Sequence, residues 1–353
     1  MLSKNDNDDV DVLEVVRTLW AGKLVIVSTV VIGVMLSIAY MFTAQEWWTS
    51  SALITKADSG ENRQYQESVK AYQPVFDVYQ DDGSIIISRQ LDKYVNSKNF
   101  FADYVDTFNA AITKREFLES NEKFSNVLDD LSIERDGAYI LSWLGNIESR
   151  PTGMNTKSEY VISFRSNTSQ SAAEILSDYV DFVNKKVKVQ IFNDIKTLLS
   201  VKTKELNNQH QILLHQAQKK VALMLERARY SEAVAKAAEQ ERPLANLQDT
   251  GLFNINLGTK AIAEKIKILE SLKDFSIVEP RLINVTSKLS ILESQSFNDS
   301  VSFSAYKLVE PILPPAFRTT PKKLSLLLMG AILGFIFGVF LVLMNRVYNL
   351  AKK

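Results

Sequence analysis

The chain has 353 residues, and its 41 basic and 41 acidic side chains give a formal net charge of zero. Balanced charge provides no long-range attraction to nucleic acid, so we expect no nucleic-acid partner. The absence of cysteine excludes disulfides, thiolate metal sites and a cysteine nucleophile. The mean hydropathy of −0.06 is that of an ordinary soluble protein, but this average conceals two apolar blocks.

The two apolar blocks lie near the ends of the chain, at residues 24–42 and 324–344, and neither contains a charge. A helix rises about 1.5 Å per residue, so each block can cross a hydrocarbon core of about 30 Å. Acidic residues precede the first block, whereas cleaved signal peptides begin with basic residues. We therefore predict transmembrane helices at 24–44 and 323–345, which place both termini on one side of the membrane.

The orientation of these helices follows from the basic residues around the first block. Arg17 and Lys23 flank it on the N-terminal side, and the positive-inside rule then favours a cytoplasmic N-terminal segment at 1–23. Basic residues are balanced across the second block, which therefore does not decide the orientation. The tail at 346–353 is predicted to be cytoplasmic, and the large central region is predicted to lie outside the cytoplasm.

The central region begins and ends with segments of β character. Alternating side chains predict strands at 48–55, 159–165 and 301–309. Residues 60–135 are typical of helices interrupted by a turn at Gly83. Because strands adjoin both apolar blocks, we predict a membrane-proximal α/β base domain at 45–168. A returning strand and a proline-rich segment at 299–322 complete it.

The stretch at 154–242 contains neither glycine nor proline. Within it a capping-box pattern begins at Ser171, and apolar residues at helical spacing follow. Its second half has a regular seam of mostly small residues: Ala217, Val221, Met224, Ala228, Ser231, Ala235 and Ala238. Such a seam permits close helix packing. We predict one helix from 171 to 240, roughly 105 Å long at 1.5 Å per residue, which Pro243 ends.

The return path is predicted from two further apolar stripes, at residues 262–272 and 282–292, with Pro280 between them. The chain would rise along the long helix, turn near 243–258 and descend. Residues 169–298 are therefore predicted to form a long helical hairpin stalk.

A search for chemistry finds no phosphate-binding loop, dinucleotide fingerprint, zinc-protease motif, nucleophile elbow or EF-hand loop. His210 and His215 are five residues apart, which places them about 140° apart around a helix, so they cannot share a metal ion. Carboxylates occur among lysines, as is typical of solvated helix faces. We predict no catalytic residue, no metal site and no cofactor, and hence a protein that is not an enzyme.

Two structural motifs adjoin the second apolar block. Gly330, Gly334 and Gly338 recur every fourth residue, and small residues at this spacing let transmembrane helices pack closely. The preceding segment is rich in proline and cannot continue a helix: it contains Pro311, Pro314, Pro315 and Pro321. We interpret this segment as a stiff spacer.

This proline-to-glycine segment resembles that of the Wzz polysaccharide co-polymerases, whose pattern is P-x2-P-x4-[ST]-P-K-x11-G-x3-G. The matching residues here are Pro311, Pro314, Thr320, Pro321, Lys322, Gly334 and Gly338, with Pro315 as one additional residue. Residues 11–20 and 48–52 also resemble the family. The resemblance covers nearly the whole chain and is strongest to the branch that sets long or very long O-antigen.

The resemblance implies an α+β membrane protein: two transmembrane helices flank a periplasmic domain with an α/β base and a long helical stalk. It implies a non-catalytic protein of the Gram-negative inner membrane that assembles into a bell-shaped ring, with an octamer expected. The implied partners are the Wzy polymerase and the lipid-linked O-antigen polysaccharide. The implied function is to set the modal chain length of lipopolysaccharide O-antigen.

Three other interpretations stay open. The chain could regulate another Wzy-dependent polymer, such as enterobacterial common antigen or capsule. A periplasmic adaptor of an export complex would share the hairpin but should contain lipoyl-like or barrel repeats. A two-span sensor would need a cytoplasmic output domain, for which the nine residues after Met344 are too few.

Overall fold

The computed structural model describes residues 12–58, 60–80, 82–133, 137–153, 158–243, 255–298 and 300–351. The described residues form the helices α1 (Val12–Ala21), α2 (Lys23–Thr43), α3 (Arg63–Lys70), α4 (Gln73–Phe76), α5 (Ser97–Asn109), α6 (Ala111–Ser120), α7 (Glu122–Asp130), α8 (Gly137–Trp143), α9 (Ser169–Ala237), α10 (Gly258–Ser271), α11 (Arg281–Ser294) and α12 (Lys323–Ala351). The strands are β1 (Trp48–Lys56), β2 (Val78–Tyr79), β3 (Ile85–Ile86), β4 (Ile147–Pro151), β5 (Glu159–Ser166) and β6 (Tyr306–Leu308).

The chain divides into two compact units. The first combines both ends of the chain with residues 105–183, and the second comprises residues 56–104 and 184–306. In this division residues 56–104 group with the second unit and the boundary within α9 follows Val183, and the base at 45–168 and the stalk at 169–298 stay predictions. The predicted fold class is confirmed: two apolar helices near the chain ends accompany a small sheet and one very long helix.

The first unit is built on a four-stranded sheet in the order β4–β5–β1–β6. Strand β1 runs antiparallel to β5, with Trp48 opposite Ser166. Alternation buries one face of β1, as predicted, because Ala52 and Ile54 are almost fully covered. The Trp143 ring lies beside Phe164 of the neighbouring strand β5, with ring centroids 5.1 Å from Phe124 and 6.4 Å from Phe164.

Two strand predictions need correction. Strand β4 was not predicted, and the strand predicted at 301–309 is limited to β6. The reason lies in two asparagines: Asn62 Oδ1 accepts a hydrogen bond from the Ser304 N–H (2.9 Å), and Asn184 Oδ1 accepts one from the Ala305 N–H (3.0 Å). Side chains thus take the backbone donors that a strand ladder would need.

The long helix is confirmed as α9, which has 69 residues. Its cap differs from the prediction, because the Thr168 Oγ1 accepts the Ser171 N–H (3.1 Å), so Thr168 rather than Ser171 is the capping residue. The helix ends three residues before the predicted position. Glu239 adopts a left-handed conformation (φ 53°) and the Gln240 N–H bonds to the Ala235 carbonyl (2.9 Å), which closes the last turn.

The second unit has an aromatic core around Tyr65. Its ring stacks on Phe192 (5.5 Å between centroids) and meets Phe100 and Phe303 edge-on at 5.6 and 5.1 Å. These rings join α3, α5 and α9 to the chain that follows α11. The interrupted helices predicted at 60–135 are present, but the interruption also contains the hairpin β2–β3.

The return path is formed by α10 and α11, which lie against the second half of α9. Five of the seven seam residues are buried, namely Ala217, Val221, Ala228, Ser231 and Ala235. Ala228 and Ala235 form an apolar cluster with Ile262 of α10. The predicted tip at 243–258 lies largely outside the described residues, as do residues 1–11 and 352–353 of the two predicted cytoplasmic segments.

Candidate functional site

The predicted glycine face, Gly330, Gly334 and Gly338, lies in the interface between α12 and α2. All three glycines are buried. A Cβ placed on Gly334 would lie 2.5 Å from the Thr29 carbonyl oxygen and 2.8 Å from the Val30 Cα. No larger side chain fits at this distance, so the backbones of the two helices are in direct contact.

The first helix presents a matching set of small residues. Thr29, Gly33 and Ser37 recur every fourth residue, and they meet the glycine face in antiparallel order. Their hydroxyls are satisfied within α2, because Thr29 Oγ1 donates to the Ile26 carbonyl (2.9 Å) and Ser37 Oγ donates to the Gly33 carbonyl (3.0 Å). The hydroxyl groups of Thr29 and Ser37 are therefore both hydrogen-bonded, although they lie between two apolar helices.

The proline segment is held against the first unit and is not a free spacer. Ser50 Oγ of β1 donates to the Leu313 carbonyl (2.9 Å), and Ser169 Oγ at the start of α9 donates to the Pro315 carbonyl (2.7 Å). Pro311 and Pro314 themselves are exposed. The hydroxyls of Ser50 and Ser169 thus hold the path of this segment, whose prolines have no backbone N–H to donate.

Pro321 and Lys322 lie directly before α12, and the peptide bond between Thr320 and Pro321 is cis. They line one pocket together with Arg318. Arg318 forms an ion pair with Glu46, which follows the first apolar helix. The structure therefore places the predicted residues in three neighbourhoods: the helix pair, the exposed proline segment and this pocket.

Within the described ranges, no three histidine or carboxylate side chains converge in a geometry that could hold a metal ion. His215 is exposed on α9. His210 is half-buried in a groove that Asp274 and Leu282 also line.

The chain is similar in sequence to known proteins over most of its length. The family model of Wzz, described as chain length determinant protein, matches residues 8–99. A chain length determinant protein of Escherichia coli K12 is 24% identical over 96% of this chain and 93% of its own length. The chain is thus similar to Wzz chain length determinant proteins over nearly its whole length. Another relative, the ferric enterobactin transport protein FepE of the same strain, is 22% identical over 94% of this chain and 88% of its own length.

Solved structures of Wzz-type proteins share the fold. A full-length bacterial polysaccharide co-polymerase aligns with a TM-score of 0.67 at 22% identity, covering 97% of this chain and 98% of the other. The wild-type Shigella flexneri lipopolysaccharide O-antigen chain-length regulator aligns with a TM-score of 0.54 at 19% identity, covering 77% of this chain and 99% of the other. The match includes both apolar helices in the first of these alignments.

Sequence reasoning found half of the helix interface and missed the other half. The spacing Thr29-x3-Gly33-x3-Ser37 is the same signal as that of the glycine face and was available in the sequence. The Glu46–Arg318 pair had no such signal, because it joins segments that are distant in sequence. Only the folded unit brings these two residues together.

Proposed function

We propose that this chain is a polysaccharide co-polymerase of the Wzz type that sets the modal chain length of lipopolysaccharide O-antigen made by the Wzy-dependent pathway. One observation carries the proposal: chain length determinant proteins match the chain over 96% of its length. The chain would act without catalysis, and its partners would be the Wzy polymerase and the lipid-linked O-antigen.

In this proposal α2 and α12 cross the inner membrane, and both termini are cytoplasmic. Their length and apolar composition are sufficient for this role. The glycine face and the small residues of α2 support a tight pair.

Because the chain lacks cysteine, single cysteines can report the orientation. We expect an impermeant thiol reagent to label Gln211→Cys in spheroplasts and to label Val16→Cys only after lysis.

We further propose that the chain assembles into a homo-oligomeric ring. An apolar stripe on α9 supports this: Val201, Ile212, Leu223 and Val234 recur every 11 residues and are 45–59% exposed. Eleven residues are close to three helical turns, so the four side chains share one face. An exposed apolar row of this length is typical of a protein interface, and a second copy of the chain is the occupant we propose.

The stripe is tested by introducing charge. Ile212→Glu with Leu223→Glu should dissociate the oligomer of the purified full chain, because two carboxylates would be buried at each contact. Gln211→Glu with Gln218→Glu adds the same charge at exposed positions beside the stripe and should leave the mass unchanged. Equal masses for both variants in multi-angle light scattering would contradict the stripe as an interface.

The function itself is tested by the lipopolysaccharide ladder on a silver-stained gel. Cells that lack the gene should show a random ladder, and restoring the gene should produce a cluster of bands at one length. An unchanged ladder would overturn O-antigen length control. The same strains should then be examined for the length of other Wzy-dependent polymers and for growth on ferric enterobactin.

A further inference from the structure

A pocket of about 420 Å³ lies where α12 begins. We call it the basic pocket, and its principal lining residues are Glu46, Trp48, Phe317, Arg318, Lys322 and Lys323. It contains three cations and one carboxylate, so its charge is positive. Two aromatic side chains complete the lining, and Phe317 is 86% exposed.

The positive charge of the pocket is only partly compensated. The Arg318 side chain is 14% exposed and forms an ion pair with Glu46. Its Nε is buried, with no hydrogen-bond acceptor in the described part of the chain. Lys322 and Lys323 are exposed, and no carboxylate of the described residues pairs with either. The pocket therefore offers donors and positive charge that the protein itself does not use.

The pocket lies at the border of the second apolar helix, since Lys323 is the first residue of α12. In the proposed orientation this border faces away from the cytoplasm, where the positive-inside rule does not favour basic residues. Aromatic side chains beside cations are typical of the level of lipid headgroups. The N-terminus of α12 adds unpaired backbone N–H groups and a partial positive charge there.

We propose that the basic pocket binds the phosphate-bearing headgroup of an anionic membrane lipid. Lys322, Lys323 and the free Arg318 Nε–H supply donors for the phosphate oxygens, and such charge-assisted hydrogen bonds are the strong ones. Trp48 and Phe317 would contact the glycerol and the upper acyl chains. A free phosphate could use the same three donors but would gain nothing from the two aromatic rings. The proposal rests on the membrane placement proposed above and not on the control of chain length.

The test uses the purified full chain in detergent and counts retained lipids by native mass spectrometry. Phosphatidylglycerol should be retained in preference to phosphatidylcholine. Each lysine beside an anionic lipid contributes about five-fold in affinity, so Lys322→Gln with Lys323→Gln should weaken retention about twenty-five-fold. The control variant, Lys70→Gln with Lys265→Gln, removes the same charge from exposed sites elsewhere and should retain lipid normally.

Three further measurements separate charge, folding and lipid recognition at the basic pocket. Lys322→Arg with Lys323→Arg should restore binding, which separates charge from a folding defect. Phe317→Ala should weaken lipid retention, and inorganic phosphate should compete only at much higher concentration than the lipid. Equal retention by the glutamine and control variants would overturn the pocket as a site. Equally potent competition by phosphate, with no effect of Phe317→Ala, would overturn the lipid assignment.

The lipid assay contains no polysaccharide, so its outcome is independent of chain-length control. Lipid retention with an unchanged ladder would leave the site intact and remove the proposed function. A normal modal length with no lipid preference would overturn the lipid site and leave the proposed function intact.

Discussion

Trp47 and Thr320 are joined through their backbones, and this link connects the two ends of the central region. The Trp47 N–H donates to the Thr320 carbonyl (3.0 Å), and the Trp47 carbonyl accepts the Thr319 N–H (2.8 Å). One residue follows the first apolar helix closely and the other precedes the second. The link therefore sets the distance between α2 and α12 at one end, which lets the glycine face meet α2.

The first prediction concerns the glycine face. Gly334→Leu with Gly338→Leu should separate α12 from α2, because side chains would enter space that the α2 backbone occupies. Overpacking of this kind costs about 1–3 kcal/mol per site. We expect the modal length to be lost at a normal protein level. Ile336→Leu, on the exposed side of the same helix, should leave the modal length unchanged.

Helix pairing can be measured directly in the same background. A Cβ on Gly22 would lie 3.2 Å from the Val342 Cβ, so Gly22→Cys with Val342→Cys should form a disulfide under oxidation. Adding the two leucines should abolish this bond. A bond that forms equally well in both backgrounds, or an unchanged modal length, would contradict the role of the glycine face.

The second prediction concerns Glu46 and Arg318. Glu46→Gln should destabilise the full chain by about 1–2 kcal/mol, because Arg318 is largely covered and would lose its only carboxylate in the described part of the chain. The charge swap Glu46→Arg with Arg318→Glu should recover part of this loss. The measurement is denaturant unfolding in detergent as a double-mutant cycle. A coupling energy of zero would mean that the interaction between Glu46 and Arg318 does not stabilise the folded chain.

The long elements could be predicted from the sequence, whereas the contacts between distant segments could not. Helix α9 follows from local periodicity and from the absence of glycine and proline, so its bounds were predicted within three residues. The strand predicted at 301–309 is absent from its first half, because Asn62 and Asn184 take the backbone donors of Ser304 and Ala305. Asparagine side chains that reach across a fold leave no local signal.

The candidate site shows the same limit. The glycine face is a pattern within one helix and was found, and its counterpart Thr29-x3-Gly33-x3-Ser37 could have been found by the same rule. The basic pocket combines Glu46 and Trp48 with residues near 320. Its existence depends on the Trp47–Thr320 link, which no spacing rule predicts.

The third prediction concerns Gly258, which begins α10 and closes the predicted tip. Its φ is +72°, and a Cβ would lie 2.7 Å from the Glu241 carbonyl oxygen. The Thr259 N–H also donates to the Gln240 carbonyl (3.0 Å), so the ends of the tip segment are joined. Gly258→Ala should therefore cost about 1–3 kcal/mol of stability.

The control for this prediction is Gly60→Ala, because a Cβ there would meet nothing within 4 Å. Thermal unfolding of the full chain in detergent compares the two variants.

Replacing residues 244–254 with a glycine–serine linker should leave this closure intact. A change in modal length or oligomer mass in the linker variant would then be a property of the tip. If neither changes, the tip serves only as a turn.

The fourth prediction compares two buried tyrosines. The Tyr179 hydroxyl donates to the Phe108 carbonyl (2.6 Å), so Tyr179→Phe should destabilise the chain by about 1–2 kcal/mol. The Tyr65 hydroxyl is buried, with no hydrogen-bond partner in the described residues. Tyr65→Phe should therefore be neutral or stabilising by about 1 kcal/mol, because the ring contacts remain. Equal losses of unfolding free energy would contradict this difference.

The last prediction concerns alkaline pH. Burial raises the pKa of Tyr65, with a further contribution from Tyr94, and burial raises the pKa of Tyr179. Tyrosines of the unfolded chain ionise near pH 10, whereas these two stay protonated in the folded chain. Their contribution to stability is therefore complete below about pH 10 and is lost as the pH rises above it. Each tyrosine adds a slope of up to about 1.4 kcal/mol per pH unit.

Denaturant unfolding of the full chain between pH 9 and 11.5 measures this slope. Tyr65→Phe should reduce the slope by the contribution of one tyrosine, up to about 1.4 kcal/mol per pH unit. Adding Tyr179→Phe should reduce the slope again. Because we expect Tyr65→Phe not to weaken the chain at neutral pH, a smaller slope in that variant would report ionisation and not a general loss of stability. If the three proteins lose stability in parallel, other groups control alkaline unfolding, and the two buried hydroxyls do not contribute to it.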